Sequence, residues 1–184
     1  MQRDLEVNET KGISDTVLKL ALAAVFAALV CVATIVFVIP IPATHGYFNL
    51  GETVIYAATL LFGPFVGGFA GGVGAGLADV INGYSQFAPG TLIIKCLEGL
   101  IVGFLYRKIM HVSKKPSAAA VIAIIAGGLE MVAGYFIYEV GALSYPPLDA
   151  LGEVPFNVVQ MVVGLIVALP VARIILRVFP QLKS

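Results

Sequence analysis

Apolar residues fall in long, nearly uninterrupted runs rather than in the stripes of a helix with one wet face, and short polar or proline- and glycine-bearing breaks separate them. The first run goes from Val17 to Ile39 and stops at Pro40-Ile41-Pro42, because proline lacks the backbone donor and clashes with the preceding turn. It exceeds a signal-peptide core of about 7–15 residues and reads as a retained span. The second, Thr53 to Phe62, ends at Gly63-Pro64. It is half a span by itself, so a tilt, or completion by Leu50 to Glu52, is needed to cross a core about 30 Å thick. The remaining runs are Phe65 to Ile81, Thr91 to Ile109, Ala118 to Val140 and Val154 to Val178. The expected fold is an all-α membrane protein, a bundle of six transmembrane helices. Residues 1–16 form a polar tail, and 17–184 form one membrane domain.

Composition agrees with this reading. Of 184 residues, 59% are hydrophobic and 12% charged, with a mean hydropathy of +0.98, whereas a soluble domain is roughly a quarter charged. The formal net charge is +0, so no basic excess exists to neutralise phosphates and no nucleic-acid partner is expected.

Position gives the charges their meaning. Basic residues near span ends stay in the cytoplasm. With both termini inside, Arg3, Lys11, Lys19, Arg107, Lys108, Lys114, Lys115, Arg173, Arg177 and Lys183 are all cytoplasmic, and the tail is with them. The outer connections, Ile41 to Gly51, Gly83 to Gly90 and Gly141 to Glu153, hold no Lys or Arg. Lys95 is the one basic residue away from the cytoplasmic ends of the spans.

Ionisable groups in hydrocarbon are costly and are functional candidates by default. Glu52, Asp79, Lys95, Glu98, Glu139, Asn157 and Gln160 all fall toward the outer ends of their spans, and Glu130 lies at mid-depth. Lys95 and Glu98, Asn157 and Gln160, and the series Glu130, Gly134 and Tyr138 each share a helical face by spacing. They suit either an outward-opening cavity or a set of self-neutralising pairs and interhelical contacts, the latter worth about 0.6 kcal/mol each. Tyr47, Phe48, Tyr84, Phe87, Tyr135, Phe136, Tyr138 and Tyr145 fit either an interfacial aromatic belt or a stacking cage for a planar heterocycle. The segment from Pro40 to Glu52, with Thr44, His45, Asn49 and Glu52, suits a structured cap over such a cavity.

Two spans carry small residues in register. Gly67/Gly71, Gly68/Gly72 and Gly72/Gly76 permit close helix approach, and Ala23/Ala27 and Ala24/Ala28 give the first span a smooth face, for use within the bundle or against another protein. The chain has no phosphate-binding loop, zinc-protease motif or nucleophile elbow, so ATP hydrolysis by that route and enzymatic activity are not expected. No cofactor is expected. No metal site is expected either, since His45 and His111 are assigned to opposite faces; His45 with Glu52 is the weak exception. Cys31 and Cys96 read as small packing residues within spans.

The alanine-rich first span, the loop PIPATHGYFNLGE, the stretch LLFGPFVGGFAGGVGAGLADVINGY and the helix TLIIKCLEGLIVGFLYR resemble the substrate-binding S components of energy-coupling factor (ECF) vitamin transporters, riboflavin-type group. The likeness runs from about Val17 onward and is looser in the last two spans. It implies a six-helix bundle with both termini in the cytoplasm of a prokaryote, in the cell membrane. It also implies an outward vitamin site built from Tyr47, Asn49, Glu52, Lys95, Glu98, Glu130, Tyr138, Asn157 and Gln160, with Asp79 and Tyr84 as weaker members. The implied partners are a membrane coupling subunit, docked through Ala23, Ala24, Ala27 and Ala28, and two ATPase subunits. The absence of Trp departs from the thiamine and biotin members. The implied cargo is in the riboflavin, pyridoxine or hydroxymethylpyrimidine class. The alternative is a self-sufficient secondary permease in which Asp79 or Glu130 relays protons.

Overall fold

The computed structural model describes residues 2–42, 44 and 46–180, with side chains from residue 16 onward except those of residues 43 and 45. Six helices follow the apolar runs: α1 (Gln2–Val36), α2 (Gly51–Phe62), α3 (Pro64–Ile81), α4 (Ala88–Ser113), α5 (Pro116–Gly141) and α6 (Pro147–Val178). Between α1 and α2, β1 (Ile39–Ile41) pairs antiparallel with β2 (Gly46–Phe48), Pro40 facing Tyr47 in the register. The all-helical expectation thus holds for the bundle, with a small hairpin added. The first span ends at Val36, three residues short of the expected limit, because Ile39 and the prolines that follow adopt the extended conformation that their fixed φ favours.

Proline also marks helix starts. α3, α4, α5 and α6 each carry one in their first turn, where the missing N–H would have no partner anyway. This moves the start of α6 seven residues earlier than the hydropathy limit at Val154. Pro147 opens the helix and Asp149 favours its N-terminal dipole. Glu153 therefore belongs to a helix, not to a connection. The α1 helix likewise continues through the polar segment expected as a tail, beginning at Gln2.

Among the described residues, five helices are long and apolar enough to cross a membrane. The exception, α2, has 12 residues and reaches about 18 Å at 1.5 Å per residue. Gly51 and Glu52 do extend it, as the sequence suggested, but nearly all of its residues are buried, so it lies inside the bundle. The long helices instead expose large apolar side chains on their outer faces, such as Phe65, Ile137, Leu129 and Ile166. That distribution belongs to a lipid-facing surface and makes the chain a multi-pass membrane protein.

Successive helices alternate in direction. The hairpin, the 82–87 link and the 142–146 link lie together at one end, with the Tyr138 hydroxyl at the top of α5 donating to the Gln86 carbonyl at 2.8 Å. At the opposite end Gly63, at φ 93°, leaves room for the Arg107 guanidinium over the α2–α3 break. The main core joins Val30, Ile55, Tyr56, Ala70, Val102, Ile124 and Ala168. A smaller one joins Ile94, Met131, Val132 and Met161.

The glycine spacing of α3 does what its sequence predicts: the helix packs against α1, α2 and α4. The closest approach uses a glycine of α4 as well. A Cβ on Gly99 would stand 2.6 Å from the backbone of Gly67 and Gly68, where no side chain can yield. Gly99→Ala is expected to lower stability by about 1–3 kcal/mol, the usual range for overpacking, measured by unfolding of the purified protein in detergent. An unchanged midpoint would show that α3 and α4 separate at little cost.

Candidate functional site

At the hairpin end a cavity of about 30 Å3 lies between β2 and the adjoining ends of α3, α4, α5 and α6. It has room for little more than a few solvent molecules, since one needs about 10–15 Å3. Its walls include Tyr47, Asn49, Asp79, Asn157 and Gln160, all expected from the sequence, and Gly46, Phe87, Thr91, Tyr135 and Glu153, none of them among the assigned site residues.

The hairpin forms the roof through hydrogen bonds to two helices. Tyr47 donates to Asp79 Oδ1 at 2.6 Å, and its ring lies 4.5 Å from that of Tyr84. Burial, followed by the neighbouring Asp79 carboxylate, pushes the Tyr47 phenol far above its ordinary range, so it remains a donor at any working pH. Thr44 donates to Glu153 Oε2. Gly46 lets that carboxylate approach, because a Cβ there would fall on both of its oxygens. The Asn49 N–H donates to Gln160 Oε1 at 3.0 Å, while Asn49 Oδ1 accepts from the Gly51 N–H at 2.9 Å and so holds the first turn of α2.

Behind the cavity wall lies a dry ionic layer. The Lys95 ammonium bonds Glu52 Oε1 and, at 3.2 Å, Glu98 Oε2. Tyr56 donates to Glu98 Oε1 at 2.6 Å, and Gln160 Nε2 to Glu52 Oε1 at 2.8 Å. All five side chains are nearly or fully buried. Lys95 also sits 5.3 Å from the centre of the Tyr135 ring, which faces the cavity. The self-neutralising alternative therefore describes Lys95 and Glu98, with Glu52 as a third member that the sequence did not pair with them. Gln160 is the link, since one end of its amide holds the hairpin and the other holds the charge layer.

Besides Glu52, Lys95 and Glu98, three more expected residues lie off the cavity wall. Tyr84 reaches it only through Tyr47, Tyr138 braces the 82–87 link, and Glu130 is half-buried beside Gly134. The alanine face divides. Ala23 and Ala27 are buried within the bundle, the Ala27 carbonyl lying against Gly74 of α3, while Ala24 and Ala28 are exposed. Of the four alanines expected to form a docking face, the bundle itself thus covers Ala23 and Ala27 and leaves Ala24 and Ala28, about 100° round the helix, uncovered. His45, and with it the weak His45–Glu52 metal pairing, lies outside the described residues, as do the side chains of Arg3 and Lys11.

The missed wall residues had a signal. Thr91, Lys95 and Glu98, and Glu153, Asn157 and Gln160, repeat the same four-then-three spacing, which puts each triplet on one helical face. Extending either pair by one turn would have found Thr91 and Glu153. Nothing in the apolar run of α2 singles out Tyr56.

The comparisons fit this arrangement. Residues 14–177 match the family model described as ECF-type riboflavin transporter, S component. The chain belongs to that family. Its members are transporter subunits rather than enzymes. Similar proteins include an uncharacterized protein encoded in the gap 3′ region of Pyrococcus woesei, 43% identical over 75% of this chain and 88% of that one. Another is the thiamine precursor transporter HmpT of Lactococcus lactis subsp. cremoris (strain MG1363), 33% identical over 82% of both chains. The fold is similar to a solved structure of the S component of a bacterial ECF transporter, with a TM-score of 0.65 over 92% of this chain and 99% of that one, at 20% identity.

Proposed function

We propose that this S component captures a small heterocyclic vitamin or vitamin precursor from outside the cell and hands it to an ATPase-driven coupling module. The observation that carries the reading is the roofed cavity: three elements of the hairpin, Thr44, Tyr47 and Asn49, are tied to α6 and α3 around a space lined by aromatic rings and a few directed polar groups. Family membership and the thiamine-precursor relative support vitamin-type cargo. The basic residues support an orientation with both termini in the cytoplasm, so the hairpin end faces outward in the plasma membrane of a prokaryote. At about 30 Å3 the cavity is far below the roughly 300–1,000 Å3 of small-molecule pockets, so the hairpin lifts when cargo enters.

Protein purified in detergent and screened by calorimetry against riboflavin, pyridoxine and hydroxymethylpyrimidine is expected to bind one of them stoichiometrically. No binding across a broad vitamin screen sinks the proposal. Uptake by the chain alone in liposomes, driven by a proton gradient, would establish the permease instead.

The coupling subunit docks on the exposed alanine pair of α1. Ala28→Trp is expected to leave vitamin binding within twofold and to abolish uptake by cells that hold the whole transporter. Ala27→Trp, directed at α3, is expected to damage folding and binding together. Equal loss of binding in both variants would remove the docking role from Ala28.

A further inference from the structure

Glu139, near the end of α5, is fully buried, and Glu153, in the second turn of α6, is 5% exposed. Their carboxyl groups hydrogen-bond each other. An ionised carboxylate only accepts, so this bond requires that the pair hold one proton and one negative charge. Among the described residues no other group donates to Glu139, and Glu153 receives the Thr44 hydroxyl on Oε2. The hairpin backbone also lies directly on Glu153, since a Cβ at Gly46 would overlap both of its oxygens. The pair thus joins α5 to α6, and through Thr44 and Gly46 it meets the roof. No cation is available to offset a second charge there. Lys95, the single buried cation among the described residues, is bonded to Glu52 and Glu98. Asp79, which lines the same cavity as Glu153 and accepts from Tyr47, is another acid. Glu130 lies about 13 Å away along α5 at 1.5 Å per residue, and Asp149 is exposed. Tyr145 turns its ring to Phe87, and its N–H donates to the Glu139 carbonyl at 3.0 Å. His45, between Thr44 and Gly46, lies outside the described residues.

We infer that Glu139 and Glu153 act as a one-proton latch on the hairpin roof, so that the roof closes with uptake of a proton and loosens as the pH rises. The inference goes beyond the transport reading and stands on the roof alone, whatever the cargo. While the pair shares a proton it carries one charge and can stay dry beneath Gly46. Loss of that proton to solvent breaks the O–H bond and leaves two carboxylates in contact, where a low dielectric makes like charges repel most strongly. They must separate or take up water. The two helices pack against each other, whereas the roof is a two-stranded hairpin with three residues in each strand, an element that is marginal by itself, so the roof yields. Linkage fixes the sign. With the roof raised, both carboxyl groups meet water and ionise in the ordinary carboxylate range, so the closed form binds one proton more than the open form. The closed-to-open ratio therefore falls as pH rises, by up to about tenfold per pH unit.

The test needs no ligand, so its failure leaves vitamin capture untouched. The chain has no tryptophan, and Phe48→Trp places a single fluorescent reporter in β2, where Phe48 is 9% exposed. The full chain in detergent is titrated from about pH 5 to about pH 9, a window that reaches the values documented for buried glutamates. Emission is expected to shift to the red, and quenching by acrylamide to rise, along a curve no steeper than about tenfold per pH unit. The infrared band of a protonated carboxyl is expected to disappear over the same range. Glu139→Gln keeps a donor to Glu153 without a titrating proton, and is expected to abolish both the band and the pH response while the roof stays closed. A structural role alone would not flatten the profile. Should that variant not fold, Glu153→Gln, which still accepts from Thr44 and donates to Glu139, carries the same expectation. His45→Gln is expected to titrate like the parent. A roof that ignores pH in the parent, a response that survives Glu139→Gln, or one that is lost in His45→Gln overturns the inference. Absence of the protonated-carboxyl band from the unaltered chain overturns it even where no variant folds.

Discussion

Replacing Lys95 by methionine is expected to destabilise the protein by about 3–5 kcal/mol, the cost of removing one partner from a buried ion pair. Methionine fills most of the same volume, so the loss is electrostatic. Without the ammonium, Glu52 and Glu98 are left together in a layer where the neighbouring donors are Tyr56 and Gln160, neither of them charged. Unfolding in detergent measures the loss directly. The charge origin is checked by combining Lys95→Met with Glu52→Gln and Glu98→Gln, which removes every charge of the layer. The triple variant is expected to regain most of the stability, since a neutral replacement of a buried ionic group is often no worse than the original. A single variant as stable as the parent would show that the layer is reached by solvent.

Gln160→Leu should strike function harder than a substitution of similar size elsewhere on α6. It removes an acceptor from the Asn49 N–H and a donor from Glu52 Oε1, each worth about 1–3 kcal/mol when left unpaired in a buried place. The roof loses its tie to α6 at the residue that also fixes the start of α2. Ligand affinity is expected to fall at least tenfold, about 1.4 kcal/mol, and the 40–50 segment to be cut faster by protease. Val159→Leu, on the exposed side of the same helix, is the control and is expected to change neither. Unchanged affinity in the Gln160 variant would mean that the hairpin closes without it.

The helices were legible because a membrane span needs a long apolar run whatever surrounds it, and because Pro and Gly interrupt such runs locally. The small-residue spacing of α3 was legible for a similar reason, since close approach demands the absence of a side chain. Of the cavity-wall residues, Asp79, Asn157 and Gln160 were legible as polar groups too costly to place in hydrocarbon without purpose, and Tyr47 and Asn49 as members of a connection suited to a cap and through the family resemblance. Glu153 was not, because hydropathy assigns an acid beside a span to the connection. Nor was Tyr56, whose hydroxyl acquires meaning only from Glu98, forty-two positions away.

By itself, then, the sequence determined the apolar spans, their breaks, the grouping of polar residues toward one end and the glycine face of α3, since each follows from local chain chemistry and the bilayer's thickness. Only the tertiary structure decided which charges cancel and which remain open. It spent Lys95 on Glu52 and Glu98, left Asp79, Glu139 and Glu153 without a cation, turned Ala23 and Ala27 inward, and folded the 39–48 segment into a roof. Those outcomes depend on pairings between residues far apart in the chain, and only the packing of the helices brings them within hydrogen-bonding distance.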